Sequence, residues 1–212
     1  MNEVFEYRGV DNVVIAEVIG DDNETDGGYV TGPVESLFPV AEVGKSVESS
    51  NESHYYDNQP MIIISSEGPD EITLTGAGIP IEKLAKIIGK SYDETTGMMV
   101  DGPAQPRYFA LGYRTKGTDG HYRYVWRMKG MFAIPEETVA TEDDGTDANG
   151  TELTYTGIYT AHKFAKGMLA NGKWEAASVK GIVVDTRKAL ADVSKFFDAV
   201  TTPDTLTVKA AG

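Results

Sequence analysis

The sequence predicts a mainly-β protein with one short helix and long polar loops. Apolar residues fall in short β-branched or alternating runs, and 23 glycines and 11 tyrosines weight the 212-residue chain towards turns and strands. Helical spacing surfaces in only two places. No linker-like stretch divides the chain, so a single elaborated domain over residues 1–212 is expected.

Residues 12–19 (Asn-Val-Val-Ile-Ala-Glu-Val-Ile) read as a strand. It feeds an acidic, turn-rich loop over about 20–33, closed by Pro33. Residues 34–48 intersperse valine and leucine with Glu and Ser, as one or two half-exposed strands would, and His54-Tyr55-Tyr56-Asp57-Asn58 reads as a strand end and turn. Residues 61–65 and 72–75 flank Glu67-Gly68-Pro69-Asp70, whose turn chemistry predicts a hairpin connection there. The period then changes. Ile81, Leu84, Ala85 and Ile88 recur at helical spacing between Pro80 and Gly89, which predicts a helix over about 80–89. Too short to stand alone, it must lay its apolar stripe on a sheet.

Residues 107–115 and 121–134 are aromatic-rich strands around Lys116-Gly117-Thr118-Asp119-Gly120, the strongest hairpin signal in the chain. In the second arm Tyr122, Tyr124, Trp126 and Met128 share one parity, and Arg123, Val125, Arg127 and Lys129 the other, which sends the aromatic face to the core. An acidic loop over 135–150 precedes an alternating strand at 153–160. Residues 174–185 fit a strand ending in Gly181-Ile182-Val183-Val184-Asp185. Leu190, Val193, Phe196 and Phe197 at helical spacing make the segment 187–212 a helix followed by a surface tail.

Composition narrows function by exclusion. Zero cysteines remove disulfides, thiolate nucleophiles and the usual structural zinc sites. A net charge of −14 without Lys/Arg clusters disfavours tight nucleic-acid binding. The longest apolar runs, such as Met61-Ile62-Ile63-Ile64, are four residues, against roughly 20 for a bilayer span, so no membrane partner is expected. The N-terminus shows no signal-peptide pattern, and synthesis in a cytoplasm is expected.

No motif carries chemistry. Gly76-Ala77-Gly78 sits between a strand and a helix, but Ile81 stands where a dinucleotide fingerprint needs its third glycine. Gly44-Lys45-Ser46 and Gly89-Lys90-Ser91 have Pro39 and Leu84 where a P-loop has its first glycine. His54, His121 and His162 are isolated, and Glu136-Glu137 and Asp143-Asp144 lack the ligand order of a calcium loop. Catalytic, cofactor-binding and metal-ligating residues are therefore all expected to be none.

The order of strands and loops resembles the phi13-type major tail proteins of long-tailed siphophages over most of the chain. The resemblance lies in Tyr56-Asp57-Asn58 before a strand, the helix at 81–88, Phe109-Ala110-Leu111-Gly112-Tyr113, Lys129-Gly130-Met131-Phe132-Ala133-Ile134-Pro135, Glu152-Leu153-Thr154-Tyr155-Thr156-Gly157-Ile158 and Val183-Val184-Asp185. It implies a tail-tube fold: an antiparallel β-sandwich or flattened barrel with a short flanking helix, without enzymatic activity or cofactor. It further implies six-membered rings stacked into a virion tail, with the tape measure protein in the lumen, terminator and distal tail or baseplate proteins at the ends, and DNA passing without being held. The acidic loops at 20–33 and 135–150 are expected to contact neighbouring copies. The rival reading is a carbohydrate- or host-surface-binding β-sandwich module, which needs Trp126, Tyr122 and Tyr124 exposed as a sugar platform.

Overall fold

Alternating side chains along paired strands build this molecule. A computed structural model describes residues 4–22, 28–56, 59–136, 150–187 and 190–209. Along the chain run β1 (Tyr7–Asp21), β2 (Tyr29–Thr31), β3 (Glu35–Ser36), β4 (Val40–Tyr56) and β5 (Gln59–Gly76), then the helix α1 (Ile81–Ile88). They are followed by β6 (Ser91–Asp93), β7 (Met98–Val100), β8 (Phe109–Gly117), β9 (Tyr122–Phe132), β10 (Thr151–Ile158), β11 (Phe164–Ala170), β12 (Lys173–Ala177) and β13 (Gly181–Asp185). The protein is mostly β with one short helix, its sheets are antiparallel, and no barrel closes, so the fold is mainly β and sandwich-like as expected.

The main sheet runs β2-β1-β8-β9-β10-β5-β4, with β13 beside one end of β9 and β3 beside β1. Neighbouring residues on each central strand enter different cores. Ile15, Leu111 and Val125 join Ile72, Leu74, Leu153 and Tyr155 in one cluster, while Ala16, Ala110 and Trp126 join Met128, Val184, Phe196 and Val200 in the other. The sheet is thus buried on both faces. β1 and β4 lie near opposite ends of the strand order yet come into contact, so the sheet curls around the first cluster. The helix fills that curl with Leu84, Ile87 and Ile88. Gly89 ends it in the left-handed conformation at φ 71°, with the Gln105 carbonyl so close that a Cβ would meet it at 1.9 Å.

The β8–β9 hairpin forms as expected, and Trp126 and Met128 are fully buried, with Tyr122 and Tyr124 half-buried beside them. A bulge opposite Phe109 and Leu111 then shifts parity, which carries Phe132 into the other cluster with Val125. Gly112 lies directly across from Trp126, and a Cβ there would meet the indole at 2.8 Å, so the ring packs flat on bare backbone.

Three expectations are corrected. Residues 67–70 do not turn: β5 runs unbroken through them, and the hairpin partner of residues 61–65 is β4, reached through residues 57–58, which lie outside the described residues. Gly68 and Pro69 are absorbed where the β4–β5 register shifts between Val47 and Ser49, a place where a missing N–H is tolerated. Residues 190–209 contain no helix. Their amides reach back three residues, from Phe196 to Val193 and from Asp198 to Lys195, because the Phe196 carbonyl instead accepts the Trp126 indole N–H at 2.9 Å and the Thr201 hydroxyl at 3.0 Å. Finally, residues 174–185 form parts of two strands, β12 and β13, rather than one. The acidic loop at 20–33 is interrupted by β2, and most of the loop at 135–150 lies outside the described residues.

Candidate functional site

β4 and β5 are 17 and 18 residues long, but β10 pairs with β5 only from Asp70 to Gly76. Residues 49–56 and 59–67 therefore pair with each other alone, a ribbon roughly 30 Å long at about 3.3 Å per residue. Residues 48–53 on one arm and Ile63, Ser65, Ser66 and Glu67 on the other are exposed. The ribbon is polar, and Ser50 and Ser66 hydrogen-bond across it at 2.9 Å. An isolated two-stranded hairpin is marginal in water, so something must hold this one in place.

What holds its base is a buried charge cluster. Asp70 has no exposed surface and faces inward with Ile72 and Leu74. Lys180, just before β13, donates to the Gly68 carbonyl at 2.5 Å, to Glu67 at 2.7 Å and to Asp70 Oδ1 at 3.3 Å. Lys45 of β4 and Arg127 of β9 each approach Asp70 Oδ2 at 3.0 Å as ion pairs that are not aligned as hydrogen bonds. Burial pulls the Lys180 ammonium towards its neutral form, but the bonds to Glu67 and Asp70 outweigh it and raise its pKa. The cluster thus ties the ribbon to β9 and β13 across the bulge at Gly68 and Pro69.

A second clasp fixes the end of β1. The Asp21 carboxylate is 6% exposed and accepts the Ala161 and His162 amides at 2.9 and 2.8 Å and the Lys129 ammonium at 2.6 Å. Burial alone would raise its pKa; the two amides and Lys129 more than offset that and lower it. Burial, with the Asp21 charge adding to it, pushes the nearby Tyr29 phenol well above its ordinary range, and that hydroxyl donates to the Met128 carbonyl at 2.6 Å.

The residues weighed for chemistry stay apart. His54 lies on β4, His121 at the β8–β9 turn, and His162 beside Asp22 and Phe164. Among the described residues no group of three or more His, Asp or Glu is placed to hold a metal, and no helix is long and apolar enough to cross a membrane. Gly76, Ala77 and Gly78 do connect β5 to α1. Lys45 is drawn into the Asp70 cluster, and Lys90 pairs with Asp101 at 2.8 Å and the Gly102 carbonyl at 2.5 Å. Asp70, Arg127 and Lys180 escaped the sequence reading because Gly68-Pro69-Asp70 looks like a turn; the even parity that Asp70 shares with Ile72 and Leu74 was the available signal. Comparison with protein-family models finds no match to the chain, and comparison with curated proteins finds none either.

Proposed function

We propose that this chain is the major tail tube subunit of a long-tailed bacteriophage, a structural protein that self-assembles into stacked hexameric rings forming a conduit for DNA. The observation that carries the reading is the β4–β5 ribbon, whose outer half projects with no partner strand in its own protomer. β4 is also a sheet edge 17 residues long, and long unpaired edges are templates for pairing with another chain. A heterologous contact between such an edge and a different surface of the next copy closes into a ring when its rotation allows. An acidic subunit suits a conduit that passes DNA without holding it, since carboxylates on the wall repel phosphates within roughly 10 Å.

The rival glycan-binding reading draws no support from the aromatic face on which it depends. Trp126 is fully buried, and Tyr124 stacks on Phe197 at 5.7 Å.

Negative-stain electron microscopy of the concentrated protein, with its mass in solution, tests the proposal. Rings of six or hollow tubes are the expected result. A protein that stays monomeric, alone and with tape measure and baseplate proteins added, sinks it.

A further inference from the structure

β11 and β12 form a hairpin that pairs with no other strand. It turns through Asn171 and Gly172, both at positive φ (49° and 75°), the geometry that matches the twist of tight two-residue hairpins. Directly opposite each other near its tip stand Leu169 and Trp174, 58% and 57% exposed. An indole and a leucyl side chain paired in solvent are out of keeping with a chain that buries Trp126 completely. Tryptophan is among the residue types that dominate binding energy at protein interfaces.

A complementary surface lies on other elements. Between α1, β7 and the segment after β9 is an open groove of about 600 Å³, walled by Ile79, Ile81, Leu84, Ile88, Met99 and Ile134. Ile81 and Ile134 are 46% and 66% exposed on its lip. Its rim carries Glu136 and Asp101, the latter with 88% of its side chain exposed, whereas the hairpin presents exposed Lys166 and Lys173. Apolar pair and apolar groove, basic tip and acidic rim match in both chemistry and charge sign.

We infer that the β11–β12 hairpin docks into this groove on a second copy of the same chain, with Leu169 and Trp174 against the isoleucines and Lys173 at the acidic rim. Because knob and groove are different surfaces, every copy offers one of each, and the contact is head-to-tail. The inference rests on the proposal that the chain assembles with itself, and adds a contact separate from the β4–β5 ribbon.

The chain supplies its own probe, since one of its two tryptophans is buried and the other exposed. Acrylamide quenching of tryptophan fluorescence, read on the full chain before and after assembly, is expected to lose the Trp174 component at least fivefold in the assembled protein. The variant Ile81→Glu with Ile134→Glu, both at exposed positions, is expected to leave Trp174 as quenchable as in the monomer, with an unchanged circular dichroism spectrum. Trp174 remaining fully quenchable in wild-type assemblies overturns the docking and leaves the tube proposal standing, as does its protection in the groove variant. A wild-type chain that never assembles removes both.

Discussion

At Asp70 a carboxylate with no exposed surface is held among three cations that reach it from β4, β9 and the chain before β13. Removing one member of a buried charge group leaves the others desolvated and uncompensated, which costs about 3–5 kcal/mol. Asp70→Ala is therefore expected to lower the unfolding free energy by that amount in urea titrations followed by circular dichroism; a loss below about 1 kcal/mol would show the cluster to be incidental. Asp21 makes the corresponding statement in pH. Its folded pKa lies below its unfolded value, so its contribution is present above about pH 4, the unfolded range, and disappears as pH falls through the folded pKa. The expected outcome for Asp21→Asn is lower stability at neutral pH and a flatter decline below about pH 4, read from melting temperatures across pH. Parallel curves for the two proteins would contradict it.

Among the elements, the segment over residues 190–209 covers the outer face of the sheet without being regular. Phe196 and Val200 are buried while Leu190 is 75% exposed, so its apolar residues do not form a single helical stripe. The Trp126 indole and the Thr201 hydroxyl meet at the Phe196 carbonyl and hold the turn there. Phe196→Ala is expected to cost about 3–5 kcal/mol, as for other large aromatics emptied from a core, measured by chemical denaturation. The β4–β5 ribbon should behave in the opposite way. Replacing residues 50–65 by a short Asn-Gly turn removes surface that packs on nothing in its own protomer, so the shortened chain is expected to keep its melting temperature within a few degrees and lose the ability to form tubes in micrographs. Unfolding of the shortened chain, or tubes like those of wild type, would each contradict that role.

For the molecule as a whole, a net charge of −14 sets the long-range force between copies. Like-charged subunits repel at low ionic strength, and salt near 0.15 M screens this beyond about 8 Å while leaving close apolar and strand-pairing contacts intact. Assembly is therefore expected to strengthen as salt rises from a few millimolar to about 0.15 M, followed by light scattering at fixed protein concentration. A steady decline over that range would mean that exposed ion pairs, not sheet edges and apolar contacts, hold the copies together.

Elements whose signals are local were legible in the chain: β1, α1 between Pro80 and Gly89, the β8–β9 hairpin, β10 and β13 each rest on periodicity and turn chemistry within a dozen residues. The β11–β12 hairpin was equally local, since Asn171-Gly172 is a strong turn signal, yet β11 went unread because Phe164–Ala170 carries little alternation. Nothing local shows that Gly68-Pro69-Asp70 runs straight. That depends on Lys180, Lys45 and Arg127 converging from distant parts of the chain to satisfy a buried carboxylate and a bulged carbonyl. The same holds for residues 190–209, where helical spacing lost to a bond between the Trp126 indole and the Phe196 carbonyl, 70 residues apart. Propensity and periodicity act over a few residues and settle which segments are strands. Pairing partners, the projecting ribbon and its charged base follow from contacts between distant segments, whose energies exceed the local preferences they override.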